Sequence, residues 1–65
     1  MQGSSIGDRL ILLRGKKSRR EVAEAIGVGV STIAMYELGK RVPKDDIKIR
    51  LARFYQKSIE EIFFR

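Results

Sequence analysis

Glycines and a single proline divide this chain into short segments, and within each segment the apolar residues recur with the spacing of an α-helix. Gly15, Gly27 and Gly39 each follow such a segment, at the position where a helix commonly ends. Residues 47–51 alternate between apolar and charged, but the helical spacing continues from there to Tyr55. The sequence therefore predicts an all-α fold, a bundle of short helices.

Capping signals locate the ends of five helices. Ser18 with Glu21 and Ser58 with Glu61 have the spacing of a capping box, in which each residue bonds a backbone N–H of the other. Pro43 and the acidic pair at 45 and 46 favour a helix start, because acidic side chains complement the helix dipole there. The predicted helices span about residues 5–14, 19–26, 30–38, 45–55 and 59–64.

The chain has 65 residues, the size of one small domain. We expect residues 1–65 to form that domain, with residues 1–5 disordered or left over from cloning. A chain of this length buries only about 60% of its unfolded surface, which leaves no room for a deep cleft beside a core. It contains no cysteine and no histidine, so we expect no disulfide, no metal, no cofactor and no small-molecule ligand.

The sequence also argues against an enzyme and against a membrane protein. Asp45 and Asp46 are adjacent and diverge on a helix, so they cannot converge as an acid pair. Ser31 and Thr32 have no base nearby to activate them. No apolar run reaches the roughly 18 residues that a membrane span needs, and the start of the chain lacks the pattern of a secretory signal. The expected location is the cytoplasm.

Positive charge is concentrated on both sides of an uncharged stretch. The formal net charge is +6 and the isoelectric point is near 10.2, which suggests nucleic acid or an anionic membrane as partner, the alternative being a well-solvated basic surface. Twelve residues without a charge lie between Glu24 and Glu37. The flanking cations are Arg14, Lys16, Lys17, Arg19 and Arg20 before this stretch and Lys40, Arg41 and Lys44 after it.

The third predicted helix has an outer face without charge. At about 100° per residue, one side points to the core and the other side is small, neutral and mildly apolar. The core side has Val30, Ile33, Tyr36 and Glu37, and the other has Ser31, Ala34, Met35 and Leu38, with Thr32 on a flank. Lysine and glutamate would be expected on a solvent-facing helix, so this face is suited to close contact with another surface. The alternative is a helix that is buried on both sides.

A lone carboxylate on the core side needs a cation, because burying Glu37 unpaired would be strongly destabilising. Arg14, at the end of the first helix, is the expected partner, since a guanidinium can bind a carboxylate through two hydrogen bonds. The alternative is that Glu37 turns to solvent at the end of its helix.

Together these features predict binding to double-stranded DNA. Arg19 and Arg20 lie beside a helix N-terminus, where backbone N–H groups and the dipole favour an anion. Cations at the edges would hold phosphates and supply affinity, while the neutral helix enters the major groove. Apolar side chains can contact thymine methyl groups there, and Ser or Thr can bond to base edges.

The stretch SRREVAEAIGVGVSTIAMYELGKRVP resembles the helix-turn-helix of the Cro/CI-repressor-like (Xre) family of bacterial and phage transcription regulators. The elements that carry the resemblance are Ser18, Val22-Ala23, Ile26-Gly27-Val28, Thr32-Ile33, Tyr36-Glu37-x-Gly39 and Pro43, followed by Leu51-Ala52 and SIEEIFF. The resemblance implies a compact, lambda-repressor-like bundle of five helices, in which helices 2 and 3 form the helix-turn-helix and helix 3 is the recognition helix.

The resemblance also implies roles for individual residues. Phosphate contacts would fall on Ser18 and Arg19, beside Arg20, with Lys40, Arg41 and Lys44 after the recognition helix. Base contacts would fall on Val30, Ser31, Thr32 and Met35, and Arg14 with Glu37 matches a structural ion pair of such proteins. The sequence departs from the family in having Arg19 where glutamine is common, Gly29 where a Ser or Thr cap is common, and a shorter loop after Arg14. Since the base-reading positions lack Gln, Asn and Arg, we expect T-containing half-sites or reliance on DNA shape.

The last predicted helix supplies a candidate dimer contact. Ile62 and Phe63 fall on its core side, whereas Phe64 points away, where an exposed aromatic side chain can anchor association. The alternative is a frayed end with Phe64 folded back. Regulators that this chain resembles usually act as homodimers on inverted repeats. We therefore expect a sequence-specific, homodimeric regulator, a repressor, encoded by a bacterium or phage and associated with the nucleoid.

Three other functions are compatible with parts of the sequence. Residues 47–65 can be read as a basic amphipathic helix on a membrane surface, although Ser58 and Glu61 indicate a break and a new start. RNA binding would favour stacking aromatics on an open sheet, and the pattern predicts neither. The same fold could also act mainly through a protein partner, as an antitoxin or co-regulator, which the sequence does not exclude.

Overall fold

The computed structural model describes residues 5–64, which form five α-helices. Their bounds are α1 Ile6–Arg14, α2 Arg19–Ile26, α3 Val30–Glu37, α4 Asp45–Tyr55 and α5 Ile59–Phe63. No strand occurs within residues 5–64, so the all-α prediction is confirmed. Each predicted bound lies within one residue of the observed one, because Ser5, Leu38 and Phe64 are cap residues rather than parts of the helices.

Serine side chains begin three of the helices. The Oγ atoms of Ser5, Ser18 and Ser58 each accept a hydrogen bond from the backbone N–H three residues later, at 3.0–3.1 Å. Such a bond satisfies one of the N–H groups that a helix start leaves without a partner. Ser5 therefore belongs to the folded part, contrary to the expectation for residues 1–5. The remainder of that expectation concerns residues 1–4, which lie outside the described residues.

Only one of the two expected capping boxes is complete. The backbone N–H of Ser58 donates to Oε1 of Glu61 at 2.8 Å, and the hydrogen bonds from Ser58 lower the pKa of the Glu61 carboxyl. At the start of α2, Ser18 accepts from the backbone of Glu21, but within residues 5–64 the Glu21 carboxylate makes no return bond. Glu21 is exposed, and an exposed carboxylate gains little by exchanging water for a backbone N–H.

Every helix contributes to one apolar core. α3 packs against α1 and α2, α2 packs against α4, and α5 packs against α1 and α4. The buried apolar residues are Leu10, Val22, Ala23, Ile26, Ile33, Tyr36, Leu51, Ala52, Ile62 and Phe63. The radius of gyration is 10.7 Å, close to the value of about 11 Å for a compact domain of this length. Among the helices of residues 5–64, none is long and apolar enough to cross a membrane.

The chain between α4 and α5 makes a sharp turn. Gln56 adopts a left-handed conformation with φ 59°, and the N–H of Lys57 donates to the Ala52 carbonyl at 2.9 Å, which closes α4. α5 then begins again after Ser58. The continuous amphipathic helix that the membrane-surface interpretation requires is therefore not formed over residues 47–64.

Side chains of α1 and α4 hold the end of the described chain. Nη1 of Arg9 donates to the carbonyls of Ile62 and Phe64 at 2.7 and 3.3 Å. Nζ of Lys48 lies 5.6 Å from the ring centre of Phe63 and 5.8 Å from that of Phe64, within the range of cation–π attraction. The ring of Phe64 is thus fixed beside α4 while it stays exposed.

Gly7 determines how closely α1 approaches the end of α3. It is buried, and a Cβ atom at this position would overlap the backbone carbonyl of Glu37 and lie 3.2 Å from that of Tyr36. A backbone carbonyl inside a packed helix cannot move aside as the tip of a flexible side chain can. A larger residue would therefore have to push α1 away from α3.

We expect Gly7→Ala to lower the free energy of unfolding by about 2 kcal/mol, because the overlap outweighs the gain of about 1 kcal/mol that alanine brings to a helix interior. Urea unfolding followed by circular dichroism measures this. Gly29→Ser is the control, since a Cβ there has room, with the Thr32 hydroxyl 3.7 Å away. Serine at this cap position should add a few tenths of a kcal/mol. An unchanged or raised stability of Gly7→Ala would contradict the close packing of α1 on α3.

Candidate nucleic-acid interface

A three-residue turn between α2 and α3 positions α3 in the bundle. Gly27 is left-handed with φ 90°, and its N–H donates to the Ala23 carbonyl at 2.8 Å. Gly29 returns to extended backbone and precedes α3 without a side-chain cap. Arg50 of α4 donates from Nη1 to the Ile26 carbonyl at 3.1 Å and so ties this turn to the bundle. The sequence does not predict this role of Arg50, because a bond to a backbone carbonyl of another helix leaves no pattern in the sequence.

The outer face of α3 is open to solvent, as predicted. Ser31, Met35 and Leu38 are exposed, while Thr32 and Ala34 are half-buried. The alternative of a helix buried on both sides is thereby excluded for α3. The exposed face carries no charge, so a surface that contacts it needs to remove no bound counter-ion or strongly held water.

Val30 is exposed, although the rotation of the sequence predicted it on the core side of the helix. That projection placed it on the core side with Ile33, but it is 38% exposed, whereas Ile33 is buried. Val30 is the first residue of α3, so the helices that cover Ile33 do not extend over it. Its exposure is compatible with the base contact that the resemblance implies.

The end of α3 leads into the second group of cations. Gly39 is left-handed with φ 75°, the N–H of Lys40 donates to the Met35 carbonyl at 3.0 Å, and that of Gly39 donates to the Tyr36 carbonyl at 3.2 Å. This pair of bonds is a Schellman ending, which fixes the direction of the chain after the helix. The segment with Lys40 therefore leaves α3 along a defined path.

Most of the candidate phosphate contacts are exposed. The exposed ones are Ser18, Arg20, Lys40, Arg41 and Lys44, and Arg19 is half-buried. None of the exposed cations among them takes part in an ion pair within residues 5–64. These cations are therefore free to exchange solvent for an external anion.

The carboxylate of Glu37 is buried between α1 and α3 and pairs with Arg14. Nε of Arg14 lies 2.7 Å from Oε2 and Nη2 lies 3.2 Å from Oε1, a bidentate arrangement. The Glu37 side chain is 0% exposed, which excludes the alternative that it turns to solvent. The hydrogen bond with Glu37 raises the pKa of the Arg14 guanidinium. Burial raises the pKa of Tyr55 to about 12, and the negative charge of Glu37 adds to this rise.

A second arginine also binds Glu37. Nε of Arg19, the first residue of α2, donates to Oε1 of Glu37 at 2.9 Å. This bond joins α2 to the end of α3. It was not predicted from the sequence, in which Arg19 is a candidate phosphate contact. One buried carboxylate therefore holds two guanidinium groups and connects three helices. The pair of Arg14 and Glu37 is neutral, so Arg19 leaves one positive charge in excess.

Comparison with known proteins gives one match. A family model described as helix-turn-helix matches residues 9–62, a span that reaches from α1 into α5 and includes α2, α3 and the turn between them. No curated protein and no solved structure matches this chain.

We expect Glu37→Ala to lower the free energy of unfolding by about 3–5 kcal/mol, because it leaves Arg14 partly buried without its carboxylate. Thermal or urea unfolding measures the loss. Glu24→Ala is the control, since it removes an exposed carboxylate of α2 and should change stability by no more than about 0.5 kcal/mol. A loss below about 1 kcal/mol for Glu37→Ala would mean that the ion pair contributes as little as a surface pair does.

Proposed function

This chain belongs to the Cro/C1-type, Xre-like family of DNA-binding helix-turn-helix regulators, and on that premise we propose that it binds a specific operator in double-stranded DNA as a homodimer and acts there as a repressor. The observation that carries the proposal is the uncharged, exposed face of α3 between two groups of cations, most of which form no ion pair within residues 5–64. Repression follows from occupancy, since a protein bound to an operator can block transcription without any further activity. The proposed setting is the cytoplasm of a bacterium, on chromosomal or phage DNA.

The proposed arrangement places α3 in the major groove. Val30, Ser31 and Met35 expose side chains on α3, with Thr32 half-buried beside them. The Ser31 hydroxyl can donate to or accept from a base edge, and the two apolar side chains can contact thymine methyl groups. None of the four can make the paired hydrogen bonds with which Arg, Asn or Gln distinguish bases. We therefore propose operators rich in T at the contacted positions, with further selectivity from DNA shape.

The proposed affinity comes from phosphates. Arg20, Lys40, Arg41 and Lys44 are exposed and unpaired within the described residues, and Ser18 and Arg19 stand at the start of α2. Cations that bind phosphates release counter-ions from the DNA, so binding weakens as salt rises. The formal net charge of +6 also attracts the whole molecule to DNA and so favours their association.

The proposed dimer contact is an open groove beside Phe64. The groove is lined by Asp45, Lys48, Ile49, Ile59, Glu60 and Phe64. Phe64 is 54% exposed and fixed in place by its contact with Lys48. In a twofold dimer the same surface of each copy faces the other, and a groove with both signs of charge allows Lys48 of one copy to approach the acidic residues of its partner.

Selection from a randomised duplex pool, at about physiological salt, tests the proposal. We expect an enriched inverted repeat whose half-sites lie about one DNA turn apart. Ser31→Ala and Met35→Ala should change the enriched sequence, because these side chains face the bases, while the free energy of unfolding changes by no more than about 0.5 kcal/mol. Unaltered preference in both variants would rule out reading by this face.

Lys40→Ala is the matched control for those variants. It should weaken binding to all duplexes about equally and reduce the salt dependence by about one phosphate contact. If the wild-type chain enriches no sequence and binds any duplex in a salt-sensitive way, the proposal of a specific operator fails. Action through a protein partner would then be the better hypothesis.

Phe64→Ala should raise the dimer dissociation constant about thirtyfold, as expected when an interface anchor worth about 2 kcal/mol is removed. Sedimentation equilibrium measures this constant. Leu12→Ala is the control, since Leu12 is 80% exposed on α1 and does not line the groove. Equal effects of the two variants, or a wild-type chain that stays monomeric on its operator, would exclude this groove as the dimer contact.

A further inference from the structure

The two arginines that bind Glu37 use their guanidinium groups differently. All three nitrogens of Arg14 are engaged: Nε and Nη2 with the Glu37 carboxylate, and Nη1 with the Lys17 carbonyl at 2.9 Å. The Arg14 side chain is 19% exposed. Arg14 therefore satisfies Glu37 by itself and has little left to offer to another molecule.

Arg19 is engaged through one nitrogen only. Its Nε donates to Glu37, and its side chain is 40% exposed. Neither Nη atom of Arg19 has a hydrogen-bond partner among residues 5–64. A guanidinium carries five N–H donors, four of them on the two Nη atoms, so most of the donor capacity of Arg19 is unused. Its positive charge is also the one that Glu37 does not neutralise.

We propose that Glu37 is a positioning residue for DNA binding, which holds the Arg19 guanidinium by Nε so that its Nη groups bind a DNA phosphate. The inference rests on the proposed function and adds to it a mechanical link. Glu37 is the last residue of α3, so the phosphate contact and the base-reading helix are joined through a single buried carboxylate. Phosphate contacts fix the position of a protein along the duplex. Here the phosphate contact of Arg19 would also fix the position of α3, because Glu37 joins the two.

Holding Arg19 on Glu37 reduces the conformational entropy that its side chain loses on binding a phosphate. An exposed arginine samples many rotamers and loses this freedom when it binds a phosphate. Arg19 is already held at its Nε, so part of that ordering occurs on folding rather than on binding. A lysine at position 19 would keep the charge but has only one side-chain nitrogen. That nitrogen cannot bind Glu37 and also leave two further nitrogens to donate to the phosphate.

The first test compares Arg19→Lys with Arg53→Lys, a change of an exposed arginine in α4, on the full chain. The probes are the duplex selected by the wild-type chain and an unrelated duplex, each titrated at several salt concentrations. Arg19→Lys should weaken binding to the selected duplex about tenfold, the loss of a hydrogen bond between charged groups. It should also lower the ratio of the affinity for the selected duplex to that for the unrelated duplex, because α3 is then no longer held in one position on the DNA. Arg53→Lys changes an exposed arginine of α4 that is not among the proposed phosphate contacts, and it should stay within about threefold of wild type on both duplexes.

The second test needs no substitution. In nitrogen-15 spectra of the arginine side chains, the Nε–H signal of Arg19 should keep its position and protection from exchange when the selected duplex is added, while its Nη signals shift. A merely structural Arg19 would show no change at Nη. Release of the Nε bond on DNA binding, or Arg19→Lys within threefold of wild type with an unchanged affinity ratio, would overturn the inference. Absence of salt-sensitive binding by the wild-type chain would instead overturn the proposed function.

Discussion

The burial of one carboxylate is the constraint on which the rest of this structure depends. Glu37 ends α3, its side chain is closed off from solvent, and its charge has to be balanced where water cannot reach it. Arg14 brings the end of α1 to it and Arg19 brings the start of α2. Its backbone carbonyl meanwhile lies against Gly7, where the two main chains approach without a side chain between them. The same residue therefore fixes α1 against α3 by shape and by charge.

Because α3 is held by its inner side, the residues on its outer face are not needed to pack it in the bundle. The residues that hold the helix in place are Ile33, Tyr36 and Glu37, all on its inner side. Ser31 and Met35 are outside the buried core, so replacing them should leave the fold intact. In the proposed function, such an uncharged surface loses little hydration on contact and distinguishes bases weakly, while the cations around it attract DNA of any sequence. In the proposed function, the strength and the selectivity of DNA binding would therefore come from different residues.

Local signals in the sequence were enough to predict where the helices begin and end. Serines at 5, 18 and 58 and glycines at 27 and 39 mark helix ends through bonds to nearby backbone, and such bonds depend on the local sequence alone. The predicted burial of Val30 was wrong because a rotation about the helix axis takes no account of the helix ends, where fewer residues pack around a side chain. The burial of Glu37 could be foreseen, but the bond from Arg19 could not. With several cations near in sequence, only the packing of three helices decides which of them reach the carboxylate.

The unequal engagement of the two arginines makes the three positions of this cluster unequal under mutation. Replacing Arg19 by a neutral residue would leave a balanced pair behind, so such a change can arise in one step and be tolerated. Replacing Arg14 or Glu37 alone would strand a buried or partly buried charge, so these two can change only together. Arg19 is therefore the member of this cluster whose replacement strands no buried charge, so the architecture does not depend on an arginine at position 19.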